Sequence, residues 1–332
     1  MQAGIFTHTI DWLSFTLPDS SLGEVAAALG GNWRPSGNGF SGYPQSWIRD
    51  GVPRGGRLGT GASRKPREVH VSLPAGIVSA WSSQQVRTVL SWIHDRQGKA
   101  TRIDVALDDR QACVPLAQIN EALDDGQGVM RAKTFQRIKG IKNRTGAEEG
   151  ETLYIGRRKS ETMLRIYNKR LAMQSNGQEG WQHYGIRWEL ELKQDRAQAC
   201  AVALRGLEEK KWLCFLVGVL RSCIEFKTTT RGQSKSERSR APLLPWWEQL
   251  TEGFERSQLT VEQSKEWGVE DLKRSIRPYM VTIATLTEVP GGREWLDAET
   301  EAGRLRYKPR HKRIISQACQ GQSDEPERMV KV

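Results

Sequence analysis

Thr101-Arg-Ile-Asp-Val-Ala-Leu-Asp-Asp109 and Arg187-Trp-Glu-Leu-Glu-Leu-Lys193 are the stretches on which the fold turns. Both alternate apolar and polar residues with a period of two, the spacing of a strand whose side chains go to opposite faces. Ile103, Val105 and Leu107 share one face of the first, and Asp104, Ala106 and Asp108 share the other. In the second, Trp188, Leu190 and Leu192 face one way and Glu189 and Glu191 the other. Between them, Met163-Leu-Arg-Ile-Tyr-Asn-Lys169 sets Arg165, Tyr167 and Lys169 on a common face. If the three strands share a sheet, one surface gathers acids, a tyrosine and cations. That is the inventory for metal-assisted phosphodiester chemistry.

Working outward, Leu13, Phe15 and Leu17 alternate with Ser14 and Thr16 and predict a strand ending at Pro18. A helix with Leu22, Val25, Ala26 and Leu29 follows and stops at Gly30-Gly31. Residues 36–67, rich in Gly, Arg, Pro and Ser, read mostly as loop or hairpin, with a strand near Tyr43–Ile48. Arg67–Leu73 is a strand closed by Pro74. Ser82 with Gln85 forms a capping box ahead of Val86, Val89, Leu90 and Ile93 at helical spacing. Pro115 opens another helix, and strands near 134–139 and 152–156 follow. From Ala197 to about Leu220 the pattern is helical. Strands alternating with helices and then lying adjacent predict an α+β fold. Its central, largely antiparallel sheet carries helices on one face, and a smaller helical C-terminal region follows.

The chain has 332 residues and a net charge of +11, which favours a polyanionic partner such as nucleic acid. Its cysteines, Cys113, Cys200, Cys214, Cys223 and Cys319, are odd in number and form no C-x-x-C pair. This argues against a disulfide scaffold or zinc finger and for a reducing cytosol. No secretory signal and no apolar run of spanning length is visible, so no membrane partner is expected and the protein is placed in the cytoplasm of a bacterial host. The absence of a G-x-x-x-x-G-K-[ST] loop excludes a built-in ATP motor of that type.

Asp104, Glu189 and Glu191 offer oxygen ligands from rigid strands, as Mg or Mn wants. The plainer alternative is a ladder of ion pairs in which Arg102, Arg165, Arg187 and Lys193 neutralise them. Tyr167, flanked by Arg165 and Lys169, is a candidate nucleophile if a nearby metal or cation favours its phenolate; packing of its ring is the alternative. The basic turn Gly156-Arg-Arg-Lys-Ser160 offers Arg157, Arg158 and Lys159 to backbone phosphates. A second basic stretch holds Arg54, Arg57, Arg64, Lys65 and Arg67. Both also read as solvated loops.

Four motifs occur in order: Thr101–Asp109, Thr152-Leu-Tyr-Ile-Gly-Arg-Arg-Lys-Ser160, Leu164-Arg-Ile-Tyr-Asn-Lys169 and Ile186-Arg-Trp-Glu-Leu-Glu-Leu-Lys193. Together with Ser239-Arg-Ala-Pro-Leu-Leu-Pro-Trp-Trp247 they resemble the replication initiation factors (the Rep_trans type) of small rolling-circle plasmids and filamentous phages. The resemblance implies a rolling-circle initiator that binds a double-stranded origin, nicks one strand and later rejoins it. It implies Tyr167 as the nucleophile that becomes 5′-linked to DNA, assisted by Lys169. Asp104, Glu189 and Glu191 would hold the metal (Mg or Mn), and Arg157, Arg158, Lys159 and Arg165 would contact DNA. Tyr154 and Tyr184 lie near the same motifs. The implied partners are double-stranded origin DNA, single-stranded DNA, and a host helicase and DNA polymerase. On this reading residues 1–227 form the nicking domain, 228–240 a basic linker, 241–318 a helical region serving origin binding or a homodimer contact, and 319–332 a disordered tail. A non-catalytic plasmid or phage DNA-binding regulator and a mobilisation relaxase are the alternative readings.

Overall fold

The alternating apolar residues of the two acidic strands draw both into the middle of one sheet. The computed structural model describes residues 6–260 except 53, 54, 64, 142 and 147, and then residues 273, 276–305, 307, 315 and 316. In chain order the strands are β1 (Phe6–Leu17), β2 (Trp33–Ser36), β3 (Gln45–Arg49), β4 (Arg57–Thr60), β5 (Val69–Pro74), β6 (Lys99–Asp109), β7 (Gly128–Met130), β8 (Phe135–Ile141), β9 (Glu148–Ile155), β10 (Thr162–Asn168), β11 (Ile186–Lys193) and β12 (Ile224–Phe226). Ten of them form one sheet in the order β2-β3-β4-β5-β1-β6-β11-β10-β9-β8, and β7 pairs with β12 in a separate ladder. Every pairing is antiparallel. The expected α+β architecture is therefore present.

The helices are α1 (Leu22–Leu29), α2 (Ala75–Val78), α3 (Ser83–Asp95), α4 (Leu116–Asp124), α5 (Lys169–Ser175), α6 (Gln194–Gly206), α7 (Trp212–Cys223), α8 (Lys235–Arg240) and α9 (Pro245–Leu250). Ser82 caps α3 through the reciprocal bonds its spacing to Gln85 predicts. Val86, Leu90, Cys200, Leu204, Leu216 and Leu220 from α3, α6 and α7 are buried, as are Leu13, Ile103, Leu107, Leu190 and Leu192 of the sheet, in one core. Burial of this area at about 25 cal/mol per Å² is the main term holding the helices on that face. The opposite face keeps the polar half of each strand.

Register sets what meets there. Glu191 lies opposite Asp104, Glu189 opposite Ala106, and Arg187 opposite Asp108. Across the other edge of β11, Arg165 lies opposite Glu189 and Tyr167 opposite Arg187. A register shift in the β1–β6 pairing between Ile10 and Trp12 leaves Asp11 as the extra residue of a bulge.

Some expectations are revised. Residues 36–67, expected to be mostly loop or hairpin, hold β3, where a strand was expected, and also β4; with β2 just before them these form an antiparallel meander at one end of the sheet. The long helical pattern after Ala197 is two helices, broken by a turn at Glu209–Lys211. The expected linker at 228–240 is tied down: Ser234 and Glu237 form a capping box for α8, and Arg238 Nη2 donates to the carbonyls of Gly126 and Gly128 at 2.9 and 2.8 Å. Beyond it, Trp247 is fully buried against Trp188 and Phe226, at ring-centroid distances of 5.4 and 5.2 Å. The first compact unit accordingly runs Met1–Glu262 rather than ending near 227, because burying that indole requires the chain beyond 241. The second unit, Gln263–Val332, holds the contacting helices α10 (Met280–Glu288) and α11 (Gly292–Arg304). Cys319 and the rest of residues 319–332, named in the sequence reading, lie outside the described residues.

Candidate active site

Strand alternation delivers Arg102, Asp104 and Asp108 from β6, Arg165 and Tyr167 from β10, and Arg187, Glu189, Glu191 and Lys193 from β11 to the polar face. The acids are nearly enclosed: Asp104, Glu189 and Glu191 are 2%, 5% and 6% exposed. Arg102 clamps Asp104 in a fork, Nε to Oδ1 at 2.8 Å and Nη2 to Oδ2 at 2.6 Å, and the same Nη2 reaches Glu191 at 2.8 Å. Its guanidinium lies 4.5 Å from the centroid of the Trp12 ring, which fixes the fork's plane. Lys193 pairs with Glu191 and donates to the Arg158 carbonyl at 2.7 Å.

Arg165 stands at the focus of the three carboxylates. Its Nη2 pairs closely with Glu189 and lies 3.4 Å from Asp104 and 4.0 Å from Glu191. Its Nε is buried with no hydrogen-bond partner, so the guanidinium is held from one end only. The side chain is 26% exposed and has a way out to solvent.

The hydroxyl of Tyr167 donates to Glu189 Oε2 at 3.3 Å, while the other oxygen of Glu189 faces Arg165. Burial first, and the Glu189 charge second, push the Tyr167 phenol well above its ordinary range, and Arg187 and Arg165 oppose the shift. Burial likewise raises the carboxyls of Asp104 and Glu189, with arginines pulling the other way. Lys169 is held below the ordinary lysine range by burial and by the nearby charge of Arg187. Its ammonium lies 6.0 Å from the Tyr184 ring centroid. Asp108 is engaged by Arg187 in a fork at 2.7 and 2.9 Å, and Asp11 of the bulge reaches the same arginine at 3.3 Å.

The structure thus brings Asp104, Glu189, Glu191, Arg165 and Tyr167 together. Arg157, Arg158 and Lys159 sit exposed on the turn between β9 and β10, where Gly156 adopts a φ of 97° that disfavours a side chain. Arg54 and Arg64 lie outside the described residues. Asp11 was not anticipated; the only signal was an acid between Ile10 and Trp12. Nor did strand pattern reveal that Glu189 bonds the tyrosine. Among the described residues, no group of three His, Cys, Asp or Glu side chains is arranged to hold a metal ion. The donor set nevertheless fits a hard divalent cation in kind, being all carboxylate and already gathered about one positive group. An ion there would require Arg165 to withdraw.

The model of the replication initiation factors matches residues 98–289, more than half of the chain and all of β6, β10 and β11. The chain belongs to that family. A Bacillus subtilis (strain 168) protein that bears the name DNA relaxase NicK is 23% identical over 223 residues. The match covers 66% of this chain and 61% of that relative's own length. The solved rolling circle replication initiator protein of Geobacillus stearothermophilus is similar with a TM-score of 0.60 and 24% identity, over 73% of this chain and 94% of that one. This likeness shows that the chain shares that protein's fold.

Proposed function

We propose that this initiation factor nicks and rejoins one DNA strand at a double-stranded origin, starting rolling-circle replication. The observation that carries the reading is the hydrogen bond from the Tyr167 hydroxyl to Glu189, on the face where three carboxylates converge. The family match and the names of the two relatives support it.

In this reading the Tyr167 oxygen attacks the phosphorus of the scissile phosphodiester and its proton passes to Glu189. The P–O3′ bond breaks, leaving a 5′-phosphotyrosine and a free 3′ hydroxyl that primes synthesis. Lys169, which burial makes a readier proton donor than an ordinary lysine, gives its proton to the leaving oxygen. Arg165 is drawn from the carboxylates to the phosphate, as the charge and one-ended seating of its guanidinium favour. Asp104, Glu191 and the Glu189 oxygen that Arg165 vacates, not the one facing Tyr167, would hold Mg or Mn, whose contribution when bound is to polarise the phosphate. Arg157, Arg158 and Lys159 contact backbone phosphates from their exposed turn. Rejoining reverses the attack. A host helicase and polymerase carry out unwinding and synthesis, and a dimer contact would fall to the second unit.

The reading is tested by metal-dependent nicking of a supercoiled plasmid carrying the origin. Tyr167→Phe should bind the origin and fail to nick; full nicking by that variant removes Tyr167 from the role. The relative named as a DNA relaxase favours one second reading, the same chemistry applied at a transfer origin.

A further inference from the structure

A recess of about 530 Å³ opens on the side of the sheet away from the carboxylates. Its floor includes Ile155, Leu164 and Leu192, whose positions alternate with those of Tyr154, Arg165 and Glu191. Among the described residues four cations, Arg131, Lys133, Arg157 and Arg196, line it, and no Asp or Glu does. Arg196 is engaged by the Leu259 carbonyl at 3.2 Å and closes the back. Among the described residues no carboxylate pairs with Arg131, Lys133 or Arg157. The size is that of a small-ligand site, which by rule is apolar with a few convergent polar groups. Here the charged groups among the described residues are all positive, beside the neutral Thr134, Ser160 and Gln258.

An apolar floor under three cations that no described carboxylate pairs suits a ligand with a flat apolar body and an anionic end. We infer that this recess is a nucleotide pocket, taking a base against Ile155 and Leu164 and its phosphate between Arg131, Lys133 and Arg157. The turn Gly156–Ser160 connects it to the nicking face. Gly156, Arg157 and Ser160 line the recess, while the Arg158 carbonyl accepts from Lys193, the partner of Glu191. A strand held at the carboxylates and rounding this turn would place a nucleotide beyond the scissile phosphate in the pocket. That source of the nucleotide rests on the proposed nicking activity; the pocket's preference for a nucleotide does not.

Cys223 lines the recess and reports on it, and Cys113, exposed elsewhere, serves as reference. The full chain carrying Tyr167→Phe is alkylated in EDTA, and each thiol is quantified by mass spectrometry. A ten-nucleotide single strand, thymidine monophosphate and oleate are each added separately. The strand should slow Cys223 alkylation at least fivefold and leave Cys113 unchanged, with the free nucleotide acting in the same direction at higher concentration. Arg131 and Lys133 are exposed, so Arg131→Ala/Lys133→Ala should fold. It should lose the protection and lower the slope of log affinity against log salt for the single strand by about 1.4. Protection by neither strand nor nucleotide, or by oleate alone, overturns the pocket. Because this experiment uses no metal and no nucleophile, a failure of nicking leaves its result standing, and a failure here leaves the nicking test untouched.

Discussion

Replacing Arg165 by Gln separates a pure ion-pair ladder from a site that exchanges an internal cation for a metal. The side chain is 26% exposed, and the side chains alone of the three acids it faces are 2%, 6% and 8% exposed. Asp104 keeps its fork to Arg102, and Glu191 keeps Arg102 and Lys193, so only Glu189 loses its main cation. Breaking a fully buried pair costs about 3–5 kcal/mol. Solvent access to the arginine, and the retained partners, reduce the expected loss to about 1–3 kcal/mol at neutral pH in metal-free buffer. A divalent ion entering the freed position at a hundred times its Kd would return about 2.7 kcal/mol. The assay is urea unfolding of the full chain in EDTA and in manganese. The variant should be less stable in EDTA and regain most of the deficit in manganese, while the parent chain gains much less without DNA. A deficit that manganese leaves unchanged, or an equal gain by the parent, would refute the reasoning.

Trp247→Ala should cost about 3–5 kcal/mol in the first unit, and a chain ended at residue 240 should fail to unfold cooperatively, both read by urea titration. Glu225, 4% exposed and paired with Arg221, Lys227 and Arg256, should cost about 3–5 kcal/mol when replaced by Ala, measured in the same way. Because burial holds Asp104 and Glu189 above the ordinary carboxylate range, the folded protein keeps protons there that the unfolded chain has already released. Metal-free stability should therefore fall as pH rises from the ordinary carboxylate value through the raised ones, and manganese affinity should rise over the same window. Glu189→Gln should flatten the first of these profiles.

The strand pattern made the two faces of the sheet legible before any coordinates, because alternation at period two needs no knowledge of neighbours. The Ser82–Gln85 box was legible for the same local reason. The Ser234–Glu237 box carried the same signal, but the surrounding basic, polar composition concealed it. Trp247 gave no local sign of its partners, since burial against Trp188 and Phe226 depends on contacts about sixty and twenty residues back along the chain. At the site, alternation assigned Asp104, Glu189, Glu191, Arg165 and Tyr167 to their faces. It could not say which long side chain reaches which acid, a matter of rotamers and register. Asp11 reached the face only through a bulge, which breaks the alternation the reading relied on.

A covalent trap tests the central claim most directly. The full chain is incubated with labelled single-stranded origin DNA and magnesium or manganese, and the modified residue is mapped by mass spectrometry. The account predicts a 5′-phosphotyrosine at Tyr167, lost in Tyr167→Phe. An adduct on Tyr154 or Tyr184, or efficient nicking with no adduct at all, would contradict it.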